Sequence, residues 1–235
     1  MLKRKIADTK LKKGRPMVII ALADIHADLT HLPRIADQLA AADLVLIAGD
    51  ITQFGAWAEA DAIITGIRKY NSNVLAVPGN CDRPGVNDYL TDQGISLDCN
   101  CITAAGIPCV GLGGSLPCHG STPNEMLDDD FTISSTALEA LLPSDGRFIL
   151  VTHEPPADTA IDLSDGEHIG SRAIRRFIEK NQPLLAVCGH AHQAPGNDRI
   201  GRSTLVNPGP IKDGRYAYIQ LTDKVQTAQT LQIQT

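Results

Sequence analysis

Five short apolar runs in this chain each lead into residues that can bind a metal ion. Residues 17–23 (MVIIALA) lead to Asp24 and His26, and residues 44–48 (LVLIA) to Gly49-Asp50. Residues 74–77 (VLAV) lead through Pro78-Gly79 to Asn80, 148–152 (FILVT) to His153, and 184–188 (LLAVC) to His190 and His192. A single Asp or His at a strand end is more often a hydrogen-bonded turn residue than a ligand. Five in succession form a pattern. Two Asp, one Asn and four His exceed the four donors of a tetrahedral centre. They suit two metals that share a bridging carboxylate. Imidazoles disfavour Mg and Ca, and the lack of required thiolates disfavours a structural zinc cage. Mn, Fe, Zn, Co or Ni fit. Two such ions ~3.5–4 Å apart can deprotonate a shared water and clamp both oxygens of an in-line phosphoryl displacement.

The turn after the third run reads Gly79-Asn80-Cys81-Asp82. Cys81 as a nucleophile would need an activating base or a helix terminus. A metal-activated hydroxide already supplies the attack. Packing beside the site, or weak hydrogen-bond donation into it, are the readings left for Cys81. Asp82 either orients a neighbouring group or caps a following helix. His119, in the Gly/Pro-rich stretch 113–130, and His168 are read first as ordinary loop positions, with substrate contact as the sharper alternative. Arg83 is read as a solvated turn charge or a bidentate phosphate contact.

Asp24-x-His26, Gly49-Asp50, Gly79-Asn80, His153 and Gly189-His190-Ala191-His192 together resemble the calcineurin-like metallophosphoesterase superfamily, from residue 17 to about 210. The resemblance implies a four-layer α/β/β/α sandwich of two mixed sheets flanked by helices. It implies two divalent metal ions. Asp24, His26 and His192 would hold one ion, Asn80, His153 and His190 the other, and Asp50 would bridge them. It also implies catalytic roles for Asp50, Asn80, Cys81 and His153.

Many members carry His where this chain has Cys81, and that His is assigned to the leaving group or transition state. The GNCD form, with His168-Ile169-Gly170-Ser171 and Asn207-Pro208-Gly209-Pro210, resembles a small bacterial and archaeal phosphodiesterase branch. A thiol is a poorer proton source than an imidazolium. Monoesters with alkyl leaving groups need that proton most; diesters need it less and bring less negative charge. The expected activity is therefore phosphodiester hydrolysis. A phosphomonoesterase acting on a nucleotide or phosphoprotein is the alternative, and a non-catalytic scaffold of the same fold is a more distant one.

Composition sets the frame. The chain has 235 residues, 43 % hydrophobic but only 4 % aromatic, so the core must be Ile, Leu, Val and Ala. Residues 1–15 carry seven Lys or Arg and one acid; the rest carries 14 basic and 26 acidic residues. The start reads as a basic leader over 1–16, followed by a single domain over 17–235. An acidic body argues against a stable complex with nucleic acid. No apolar run approaches the ~20 residues of a membrane span. Six scattered cysteines read as free thiols in a reducing, cytoplasmic setting. The partner expected is a small-molecule or nucleotide phosphodiester, with a homo-oligomer left open.

The elements must carry the donors to one place. The five apolar runs lack polar alternation, so they read as strands buried on both faces. Helices are expected at 29–41, 56–70 and 170–181, the last with Ile174, Phe177 and Ile178 inward and Ser171 as its cap. Residues 95–116 and 203–235 read as further strands, the latter turning near Asp223-Lys224. In open α/β sheets the carboxyl ends of strands gather at one edge, where sites form.

Overall fold

The computed structural model describes residues 15–234. All but the last two positions of the expected basic leader lie outside the described residues. The elements run β1 (Met17–Leu22), α1 (Ala36–Ala41), β2 (Leu44–Ala48), α2 (Trp57–Arg68), β3 (Val74–Val77), α3 (Pro84–Asp92), β4 (Cys101–Ala104) and β5 (Ile107–Leu112). They continue with α4 (Asp128–Glu139), β6 (Ile149–Thr152), β7 (Leu163–Ser164), β8 (Glu167–His168), α5 (Arg172–Asn181) and β9 (Leu185–Val187). The chain closes through β10 (Gly196–Ile200), β11 (Ser203–Asn207), β12 (Arg215–Leu221) and β13 (Val225–Gln232).

Two mixed sheets result. One has the order β13-β12-β1-β2-β3, the other β10-β11-β9-β6-β5-β4. β1, β2 and β3 are parallel, as are β5, β6, β9 and β11. Side-chain alternation explains why the apolar runs show no polar period. Ile149 and Val151 of β6 join the core between the sheets, with Leu185 and Val187 of β9. Phe148, Leu150, Ala186 and Cys188 join a second core under α4 and α5. Both faces are covered, so both must be apolar. Helices α1 to α3 pack on the outer face of the first sheet through Leu39, Ile63, Ile64, Ile67, Val86 and Leu90. The layers are α/β/β/α, as the resemblance implied.

Three helices depart from the expected pattern: in place of one helix over 29–41 there is a 3-10 turn at Leu32–Ile35, opened by Pro33, and then the short α1. α3 starts at Pro84, whose fixed φ suits a first helical position. It buries only Val86, Tyr89 and Leu90, too few to announce a helical period. α4 takes up residues 128–130 of the stretch expected to be loop. Three Asp in its first turn complement the helix dipole, while Phe131, Ser135 and Leu138 are its only buried residues. At α5 the expectation holds: Ile174, Phe177 and Ile178 are buried, and the Ser171 side chain accepts from Ile174 N–H. No helix among the described residues is long and apolar enough to cross a membrane. All six cysteines are free.

Candidate metal centre

The carboxyl ends of β1, β2, β3, β6 and β9 meet at one edge of the sandwich, and all seven donor residues gather there. Asp24 Oδ1 lies 3.3 Å from His192 Nε2. His192 Nε2 lies 3.3 Å from His26 Nε2, which is 3.6 Å from Asp50 Oδ2. Asp50 Oδ1 is 3.5 Å from His153 Nε2, and that nitrogen is 2.7 Å from Asn80 Oδ1. The rings of His153 and His190 stand 5.1 Å apart. The seven thus form one continuous cluster with Asp50 in the middle.

Sharp turns make this possible. Asp24, His26, Asp50 and His190 all have positive φ, between 48° and 64°. Such backbone is uncommon for non-glycine residues, costs of order 1–3 kcal/mol, and collects at functional sites. Gly49 has φ of 84°, and an added Cβ would collide with the His153 ring. Gly79 passes so close to Asp50 that a Cβ would strike its backbone nitrogen and Oδ1. Backbone bonds fix the loop frame: His26 N–H donates to Asp50 O at 2.9 Å and Cys81 N–H to Asp50 Oδ1 at 2.8 Å. His153 Nδ1 contacts Ala48 O at 2.8 Å, which orients Nε2 toward Asp50 and Asn80.

Four of the candidate residues are placed to hold a divalent cation. Ligand atoms of Asp24, His26, Asp50 and His192 all lie within 4.8 Å of one another. Asp24 Oδ2 is buried without a hydrogen-bond partner. A buried carboxylate oxygen left alone is costly unless a cation meets it. The shifts of Asp24, His190 and His26 agree. Burial works to raise the Asp24 carboxyl, but its bond to His192 and the fields of His192, His153 and His26 more than offset this and hold it at about 2. Burial, joined by repulsion from His153, pushes His190 down to about 4, and burial also lowers His26. Both are then neutral imidazoles, the form that binds metal. Burial works to lower His192, but its bond to Asp24 together with the fields of Asp24 and Asp50 raises it.

The flanking residues separate into distinct positions. Asp82 is fully buried and accepts from Ile51 N–H, Thr52 N–H, the Thr52 hydroxyl and Gly79 N–H, at 2.7–3.0 Å. It therefore joins the β2 and β3 loops; the α3 cap position is Arg83, with no side-chain cap bond. Burial and the charge of Asp50 push Asp82 up to about 6. Cys81 is buried, and burial with nearby Asp50 raises its thiol far above the usual range. His119 is exposed. His168 lies on the β7–β8 hairpin, paired with Asp162.

Some residues around the site escaped sequence reasoning. Glu154, next to His153, is fully buried; its Oε2 accepts from Leu116 N–H at 3.0 Å and lies 3.9 Å from His190 Nε2. Thr122 receives the Asn80 amide at 3.1 Å, and Glu125 Oε1 accepts from Thr122 N–H and its hydroxyl, both at 2.7 Å. Glu154 had one signal, its place beside a candidate ligand. Thr122 and Glu125 had none, because their link to Asn80 exists only in three dimensions.

Comparison with known proteins converges on the same reading. A family model described as calcineurin-like phosphoesterase matches residues 17–194. An uncharacterised Methanocaldococcus jannaschii protein, MJ1162, is 33 % identical over 199 residues, covering 83 % of this chain and 88 % of its own. The crystal structure of TT1561 from Thermus thermophilus aligns with a TM-score of 0.73 at 18 % identity, over 93 % of this chain and all of that one. A dimetal phosphatase from Danio rerio aligns with a TM-score of 0.57 at 14 % identity, again over 93 % of this chain and all of that one. These two structures share the fold. With the family match spanning most of its length, the chain belongs to the calcineurin-like phosphoesterases.

Proposed function

We propose that this protein is a two-metal phosphodiesterase. The observation that carries the reading is the position of Asp50, whose two oxygens face His26 on one side and His153 on the other, at 3.6 and 3.5 Å. Asp24, His26 and His192 would hold one ion, and Asn80, His153 and His190 the second, with Asp50 shared. When bound, such a pair supplies an activated water and stabilises charge on the phosphoryl oxygens. The chain's own residues do the positioning. Asp82 holds the β2 and β3 loops in register, so that Asp50 and Asn80 keep their places. Ala48 O orients His153. The Thr122 hydroxyl, 3.1 Å from the Asn80 amide nitrogen, directs the Asn80 oxygen toward His153.

The preference for diesters is supported by Cys81 and by the acidic body. A buried thiol gives little help to an alkoxide leaving group. A monoester would also carry a second negative charge toward a chain of net charge −6. Free thiols and the lack of a membrane-spanning helix among the described residues support a cytoplasmic setting.

The test is metal analysis followed by substrate profiling with Mn, Fe, Zn, Co and Ni. Bound transition metal and faster turnover of bis-p-nitrophenyl phosphate than of p-nitrophenyl phosphate are expected. Cys81→His should move the ratio toward the monoester by about tenfold or more, since positioned proton donors contribute about 10²–10⁴-fold. A wild type that prefers monoesters, with a ratio unmoved by the substitution, rejects diester preference. Protein without metal or activity would instead be a scaffold.

A further inference from the structure

We propose that His168, held by Asp162, donates the proton to the leaving-group oxygen in the hydrolysis proposed above. The inference rests on that phosphoesterase reading and adds the acid that Cys81 does not supply.

Position comes first. β7 and β8 form a two-stranded hairpin outside both main sheets. It is tied to the turn that carries His190 and His192. Asp165 N–H donates to Gln193 Oε1 at 3.0 Å, and Gln193 Nε2 donates back to Asp165 Oδ1 at 2.9 Å. Gln193 directly follows His192. The Asn207 amide donates to Ala191 O at 2.9 Å and to Ile161 O at 3.4 Å, so the residue between the two histidines is linked to the residue before Asp162. The far end of the hairpin returns to the segment after His153: Ser171 N–H donates to Pro155 O at 2.9 Å. The hairpin is therefore fastened to two donor-bearing turns of the centre.

The pair itself has the parts of an acid. Asp162 is fully buried and accepts from Asp158 N–H, Thr159 N–H, the Thr159 hydroxyl and Gly170 N–H, at 2.9–3.3 Å. Four donors around one carboxyl satisfy it and hold it in one place. Asp162 Oδ1 accepts a hydrogen bond from His168 Nδ1–H across 2.6 Å, which fixes the tautomer and leaves Nε2 for other work. The His168 side chain is 46 % exposed, and no hydrogen bond engages its Nε2 among the described residues. The bond to Asp162 also raises the imidazole above its ordinary value, which favours the protonated form.

The step balances simply. The oxygen of a water that has given one proton to solvent bonds to phosphorus as the bond from phosphorus to the leaving oxygen breaks. The electron pair departs with that oxygen, which takes the Nε2 proton. His168 is left as a neutral imidazole whose Nδ1–H still rests on Asp162. A plain structural staple would show the same pair, so the test must separate the two.

The full-length protein, loaded with Mn, is assayed on two thymidine 5′-diesters. One has a p-nitrophenyl leaving group, the other a nucleoside. His168→Gln is an exposed, size-matched change. It should lower kcat for the nucleoside diester by about 100-fold and for the p-nitrophenyl diester by less than about threefold, because a good leaving group needs no proton. In zinc-loaded protein saturated with inorganic phosphate, the 15N resonance of His168 Nε2 should shift while Nδ1 stays protonated. Equal losses on both diesters, no loss on either, or an unmoved Nε2 resonance overturns the proposal. A wild type inactive on every ester overturns the phosphoesterase reading instead, and the two failures are thereby told apart.

Discussion

Asp24, at the end of the first sheet's central strand, accepts the backbone N–H of His190 from the second sheet at 3.1 Å, across 166 residues of sequence. One carboxylate thus joins the two layers at the point where the donors cluster. Asp24→Asn keeps an oxygen for that bond and removes the charge. The fold should survive with a loss of about 1 kcal/mol. Metal content should fall by at least one equivalent, and activity by more than the about 10–100-fold typical of outer-shell changes. Wild-type protein should gain about 2.7 kcal/mol of stability at 100-fold excess of metal over Kd, and the variant should lose most of that gain. Elemental analysis and thermal melts with and without chelator provide the check. Unchanged metal content would exclude Asp24 as a ligand.

Gly49→Ala attacks the same site without touching a donor. The left-handed φ of 84° strains any side chain, and the new Cβ would press on the His153 imidazole, whose Cγ lies 2.5 Å from it. Destabilisation of about 1–3 kcal/mol is expected, with loss of metal from the His153 side of the centre. Denaturant unfolding and metal titration measure the two effects. Tight metal binding at wild-type stoichiometry would contradict the packing described.

Ser171→Ala is the matched structural control. It deletes the cap on α5, where the hydroxyl accepts from Ile174 N–H at 3.1 Å and donates to Asp128. A loss of about 0.5–2 kcal/mol is expected, with kcat/KM for aryl diesters within about twofold of wild type. A large catalytic defect at unchanged stability would show that this segment acts on the chemistry directly.

The His168–Asp162 pair also carries a pH signature in stability. The folded-state value of His168 is raised by its bond to Asp162, above the ordinary ~6.5 of the unfolded chain. The folded state therefore binds the proton more tightly. Its stabilisation is complete below about pH 6.5 and fades as pH rises through the folded value. The melting temperature of wild type minus that of His168→Gln should be positive in mild acid and shrink toward zero in mild alkali. A difference that grows with pH would show that the neutral ring, and not the imidazolium, makes the contact.

Strand interiors and donor types are local properties, and the sequence alone determined them. A run such as LVLIA is apolar on both faces whatever it packs against, and Gly49-Asp50 ends it wherever it lies. The cap at Ser171 and the inward face of α5 were equally legible, because helical spacing places them within a turn or two of each other. α4 was not, since a Ser/Thr-rich segment with three buried positions has no strong period of its own. Long-range packing decided the rest. Parallel strands from five segments had to align before Asp50 could lie between His26 and His153. Asp82 could be placed between two loops only once those loops were neighbours. Asp162 and His168 are six residues apart, yet their bond depends on a hairpin anchored by Gln193 and Asn207. Such contacts depend on closing long loops and burying charge in company, and neither is written in the order of residues near the site.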